Sequence, residues 1–308
     1  MATIAELANL VNCGVDALGT GTKGCIDILT RVTSLYITKS GFVYDSTEEF
    51  SQTYIAQLQA EGKLIILKGV EELTPTLEED VKETGADGVI YVVRKGLYSF
   101  NAKFRKGFAY EAALASLRSF GAYDMSFVDY NGNVLGTLDS TSIKGFSVGM
   151  LENDGITLAN NSTRMSQGLS FQFTERDEMD KDSFFISNTE LDWKPQSQDG
   201  VNQVVLSYTA TPANAGTTIT VKAKLRQGGG AVTGMTYADF LLKVDGVTSN
   251  PTADDSEATG AGIYVLTVAA ISTNEVLAIN LYDNTNSRSG ISLDGDLFQS
   301  NTVSATAV

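Results

Sequence analysis

Apolar and polar positions follow one rule after about residue 200 and another before it. From Val204 onward, short runs rich in β-branched residues recur: Val204 to Thr209, Thr218 to Leu225, Phe240 to Val244, Gly262 to Val268, Val276 to Tyr282 and Thr302 to Ala307. In Thr218 to Leu225, Ile219, Val221, Ala223 and Leu225 fall on one face and Thr and Lys on the other, the period of a half-buried strand. Gly228 to Gly230, Asp245-Gly246, Asn250-Pro251 and Asp294-Gly295 supply turns between the runs. Short strands at this spacing predict an Ig-like β-sandwich over residues 200–308.

Residues 1–199 mix two periods. Ile4, Leu7, Ala8, Val11 and Val15 have helical spacing, which predicts an amphipathic helix over 2–18. Ser46 is the expected N-cap of a second helix, with Glu48 and Glu49 in its first turn and Gly62 past its end. The alanine-rich segment Phe108 to Phe120 predicts a third. Strands are expected at Leu35 to Tyr44, Lys63 to Lys68, Gly88 to Val93, Tyr98 to Phe104, Ser142 to Met150, Leu169 to Thr174 and Phe184 to Ile186. Tyr123 to Tyr130 and Asn133 to Leu135 flank Asn131-Gly132, the pair best suited to the positive φ angles of a type I′ hairpin turn. Trp193 to Gly200 is polar, contains a proline and a glycine, and reads as a linker. The expected fold is therefore α+β and mainly β. A β-sandwich-like domain with flanking helices (1–199) is followed by an Ig-like β-sandwich (200–308).

Charge and composition narrow the function. The net charge is -15, and both halves are acidic, net -11 over residues 1–199 and net -4 after them. Such a surface repels phosphate and suits a wall past which DNA slides without sticking. With no histidine, Ser-His-Asp and Cys-His nucleophile pairs and the usual zinc sites are excluded. Cys13 and Cys25, the two cysteines, are expected to be reduced thiols rather than a disulfide framework. Met1 to Leu18 lacks a basic n-region, and no apolar run approaches the length of a membrane helix, so a soluble, unexported chain is expected.

The local motifs add little chemistry. Gly19-Thr20-Gly21-Thr22-Lys23-Gly24 matches G-x-G-x-x-G but follows a helical pattern and precedes a strand-like one, the reverse of a dinucleotide site. It reads as a glycine loop. Glu71, Glu72, Glu78, Glu79, Asp80, Glu83 and Asp87 read as a solvated loop or helix face, or as a lumenal or inter-subunit face. Glu175 to Asp182 lacks the glycine and closing glutamate of an EF-hand loop. Asp254, Asp255, Glu257 and Asp294-Gly295-Asp296 read as surface turns, with a loop-end calcium site as the alternative. Tyr36, Phe42, Tyr44, Tyr91, Tyr98, Phe100, Phe104 and Tyr123 lie on expected strands and read mostly as core or subunit contacts. Arg94-Lys95 with Lys103, Arg105 and Lys106 are basic clusters in an acidic chain, a polarity that suits head-to-tail contacts between identical subunits. No catalytic, cofactor or metal residues are assigned, and no enzyme is expected.

Gly262-Ile263-Tyr264-Val265-Leu266-Thr267-Val268 resembles the G-x-Y-x-L-x-V strand of bacterial and phage Ig-like domains, with Tyr264 as a corner-type tyrosine. Together with the helix at Phe108 to Phe120, the hairpin at Asn131-Gly132 and the acidity, it gives the chain a resemblance to tail tube proteins of long-tailed bacteriophages. That resemblance implies homo-oligomeric rings, usually hexamers, stacked with other virion proteins around a negative lumen. DNA passes through without specific binding, and the Ig-like domain lies outside. It places the protein in the virion, made and assembled in the host bacterial cytoplasm without membrane insertion. Another virion role (capsid, decoration, neck or baseplate) and a glycan-binding adhesin or surface-layer protein are the alternatives, with weak host-surface glycan contact falling to residues 200–308. A carboxylate-dependent hydrolase is a third class, for which no acid-base pair is visible.

Overall fold

The computed structural model describes residues 2–10, 29–139, 142–226, 228–254, 261–285, 287–293 and 296–308. Cys13, Cys25 and the Gly19 to Gly24 loop lie outside the described residues, as do Asp255, Glu257, Asp294 and Gly295. The chain is mainly β with flanking helices, followed by an Ig-like sandwich. It divides into two compact units: Met1–Leu58 with Gly62–Gln198, and Gln59–Glu61 with Asp199–Val308. Among the described residues, no helix is long and apolar enough to cross a membrane.

The first unit begins with α1 (Ile4–Leu10), β1 (Val32–Lys39), α2 (Gln52–Ala60), β2 (Leu64–Lys68), β3 (Val70–Leu77), β4 (Val81–Thr84), β5 (Ile90–Arg94) and β6 (Tyr98–Phe104). It continues with α3 (Phe108–Ala115), β7 (Ser119–Asp129), β8 (Val134–Asp139), β9 (Ser142–Lys144), β10 (Phe146–Thr157), β11 (Ser166–Phe173), α4 (Asp177–Asp180) and β12 (Ser183–Ile186). One 10-stranded sheet runs β12-β8-β7-β10-β11-β6-β3, with β1 on the other side of β7, β2 on β1 and β9 on β8. β2 runs through Gly69 into β3, and the Gly69 N–H donates to Thr33 O of β1, one step past the Ser34↔Lys68 pair, so that the sheet curls back on itself into a half-barrel. Alternation fills the concave side: Leu169, Phe171 and Phe173 point inward from β11, and Phe100, Ala102 and Phe104 from β6. Phe127 sits among Phe100, Phe146, Phe171 and Phe173, with ring centroids 5.3 to 6.2 Å away. On the convex side α1 and α2 contribute Ile4, Leu7, Ile55 and Leu58 to a second core with Tyr36, Leu64 and Ile66.

Two fully buried aspartates on β7 meet opposite fates. Asp129 accepts from the Thr30 N–H and hydroxyl and from the Asn133 N–H and side-chain amide, at 2.8 to 3.0 Å. Burial pulls its pKa up, but these donors outweigh burial and leave it lowered. Asp129 thereby fixes the hairpin at Asn131-Gly132. Among the described residues, Asp124 accepts from the Gly41 N–H alone, and its Oδ1 has no partner. Burial pushes its pKa up to about 6. A carboxyl raised on folding is costly when ionised, so its cost is full above about pH 6 and disappears as pH falls toward the unfolded value near 4. We expect Asp124→Asn to stabilise the first unit at pH 8 by about 3 kcal/mol and to flatten its stability between pH 4.5 and 8. Trp193, the single tryptophan, reports this unit's unfolding in urea. An Asn variant weaker than the parent at pH 8 would contradict the account.

Several boundaries differ from those the sequence implies. The described first helix is Ile4–Leu10, closed by a Thr3/Glu6 capping box, and residues 11–18 of its expected span lie outside the described residues. The second helix starts at Gln52: Ser51, not Ser46, accepts from the Tyr54 N–H, because Asp45 draws Thr47 into a turn of its own. Gly62 ends it with φ +68, and the Lys63 N–H returns to Leu58 O. The third stops at Ala115, since the Ser116 hydroxyl bonds back to Ala113 O and Phe120 is taken into the sheet opposite Met150. Trp193 to Gln198 is no free linker. Trp193 packs on Phe50 and donates to its carbonyl, while Tyr36 donates to Pro195 O.

The second unit comprises β13 (Asn202–Tyr208), β14 (Thr218–Leu225), β15 (Phe240–Val244), β16 (Val247–Thr248), β17 (Ala253–Asp254) and β18 (Ile263–Thr267). Then come β19 (Val276–Asp283), β20 (Arg288–Ser289), β21 (Ile291–Leu293), β22 (Asp296–Ser300) and β23 (Val303–Thr306). Sheet β17-β18-β14-β13-β22-β21 faces sheet β16-β15-β19-β20, with β23 on β19, across a core that includes Leu206, Val221, Phe240, Leu266 and Ile279. Tyr264 is buried, and its hydroxyl donates to Val232 O, tying the β14–β15 connection to the core. Asp254 and Asp296 are kept apart by β18, β14 and β13, so the structure does not join them in one calcium site.

Candidate functional site

The acidic run from Glu71 to Asp87 is no helix face: Glu71, Glu72 and Glu83 lie on β3 and β4, while Glu78, Glu79 and Asp80 lie in the loop between them and Asp87 in the turn after β4. Together these residues form half of a long β-ribbon whose return strand is β5 and β6. Pro75 is tolerated because β3 is the last strand of the sheet. At its root the ribbon belongs to the half-barrel, β3 pairing with β6 from Val70↔Phe104 to Leu77↔Tyr98. Beyond that, among the described residues, β4 and β5 pair only with each other, from Val81↔Arg94 to Thr84↔Ile90. This outer part is an arm.

Every residue of β4 and β5 is exposed. Val81, Val89, Ile90, Tyr91, Val92 and Val93 are large apolar residues in water, Ile90 at 64% and Val93 at 61% exposure. Successive side chains of a strand point to opposite faces, so apolar surface lies on both faces of the arm. Together they offer a few hundred Å² of apolar surface, the size at which a patch marks an interaction site. The turn is well built. The Gly85 N–H donates to Val89 O, Gly88 supplies φ +79, and Asp87 accepts from the Val89 N–H and the Tyr91 hydroxyl, which lower its pKa.

The neck between the two ladders is polar. The Glu78 N–H donates to Leu97 O, and Arg94 lies 3.4 Å from the Glu78 carboxylate. The Gly96 N–H donates to Asp80, and a side chain at 96 would collide with the Glu78 carbonyl. From α4 and its flank, Arg176 reaches Asp80 at 2.9 Å and Asp180 at 2.7 Å, Asp177 takes Lys95 at 2.7 Å, and Asp180 accepts from the Tyr98 hydroxyl at 2.8 Å. Hydrogen bonds from Lys95 and Lys181 hold Asp177 down to about 2. Asp80 is lowered chiefly by the Gly96 N–H.

The basic clusters do not present free charge. Arg94, Lys95, Lys103 and Arg105 pair within the chain with Glu78, Asp177, Glu72 and Glu71. Of the strand aromatics, Tyr36, Tyr44, Phe100 and Phe104 are buried, whereas Tyr91 stands half-exposed on the arm. Among the described residues no cluster of His, Cys, Asp and Glu could hold a metal ion.

No family model and no curated protein matches the chain. A solved polysaccharide lyase aligns with 90% of this chain and 40% of its own length, at 10% identity and a TM-score of 0.19. The chain thus spans less than half of that protein, and so slight a likeness carries no argument about fold or activity.

Proposed function

We propose that the protein is a virion structural subunit, of the tail tube kind, that works by assembling with copies of itself. The observation that carries this reading is the arm: an unpartnered two-stranded ribbon, apolar on both faces, joined without a break in the chain to the strands of a half-barrel. An isolated two-stranded hairpin is marginal in water, and apolar strands with open edges seek another chain. A second copy is the occupant that a ring or stack supplies at every position. In this reading residues 1–199 build the particle, the acidic surface faces DNA that passes without being bound, and the sandwich is carried outside. Assembly takes place in the host bacterial cytoplasm, and the protein remains in the virion.

Negative-stain microscopy and sedimentation of the purified protein test it. Rings or tubes with a central hole are expected, whereas a monomer that persists across concentration and salt would refute the reading.

A further inference from the structure

We propose that α4 is the positioning element of the arm, with Arg176 as its central residue. This rests on the assembly reading above for its purpose, though not for its geometry. Between Leu77↔Tyr98 and Val81↔Arg94 the two ladders are interrupted, so strand pairing alone does not fix the arm's direction. α4 sits beside this gap and has two working sides. Inward, the buried Glu178 accepts from Lys144 at 3.0 Å and from the Ser147 N–H and hydroxyl at 2.7 and 2.8 Å, pinning the short helix to the sheet. Outward, Arg176, Asp177 and Asp180 hold Asp80, Lys95 and Tyr98 on both strands of the neck. Arg176 bridges the two halves, since its guanidinium takes one carboxylate from the neck at the foot of the arm and one from α4. A planar fork serves two carboxylates at once, which a lysine ammonium does less well.

An arm held in one posture loses less freedom on docking than a swinging one. The latch therefore controls how readily copies associate, and leaves the fold as it is. Its pairs are partly exposed, so salt loosens it.

The test uses the full chain with Arg176→Ala, Asp80→Ala, the double variant and Arg176→Lys. Amide exchange over residues 81–94 is followed on dilute protein, and the concentration at half-assembly by light scattering. We expect faster exchange in the arm in both alanine variants, a double variant no faster than the quicker single one, and Arg176→Lys in between. Half-assembly shifts upward on the order of tenfold. Exchange in β7 and β10 stays as in the parent, which separates a loosened arm from a misfolded unit. Arm exchange unchanged in both single variants overturns the proposal, and so do effects of the two that simply add. If the parent never assembles, the assembly reading fails, while the exchange measurement still decides whether α4 holds the arm.

Discussion

A chain carrying Ile90→Asp and Val92→Asp is expected to remain folded and to stop assembling. Ile90 and Val92 are exposed alternate residues of β5, so they share one face of the arm, and neither belongs to a core cluster. Their replacement costs the fold little, because surface changes away from packed or paired groups usually lie within about 0.5 kcal/mol. In an interface the same change buries two carboxylates without partners, each worth several kcal/mol, and association falls by at least about a thousandfold. Sedimentation at rising concentration reads the result, with Trp193 fluorescence as the check on folding. Assembly that survives both aspartates would remove the arm from the interface.

Phe127→Ala is expected to act at the opposite level. Phe127 is fully buried and touches four other phenylalanines, so truncation leaves a cavity that the curved sheet does not close. A loss of about 3–5 kcal/mol is anticipated, enough to unfold much of a marginal domain. Urea unfolding followed by Trp193 should shift strongly. A loss below about 1 kcal/mol would mean that the cluster repacks.

What the sequence disclosed depended on whether a segment has one wet face and one dry. Thr218–Leu225 alternates cleanly because its inner residues enter a core and its lysines do not. Asn131-Gly132 was legible as a hairpin turn because Gly132 takes φ +94, but the turn is a three-residue loop of Tyr130, Asn131 and Gly132 in which Asn131 stays out of the positive-φ region, and not the expected type I′ turn. Glu71 to Asp87 offered no period, since β3 beyond Val70 and all of β4 are wet or nearly wet on both faces. Gly88 to Val93 did read as a strand, but a continuous apolar run normally signals burial on both faces. Only the structure reveals that, among the described residues, nothing covers it. The third helix was overextended for a related reason: local propensity favours Phe108 to Phe120, whereas pairing with β10 claims Phe120.

The continuity of the ribbon also has a mechanical side. β3 and β6 lead from the half-barrel into the arm, and β6 is flanked by β3 and β11. Ladder hydrogen bonds lie across the strands, so a pull along the arm loads those of β6 in shear, many at once, instead of peeling them one by one. Tension on the arm would thus pass into the ladders on either side of β6.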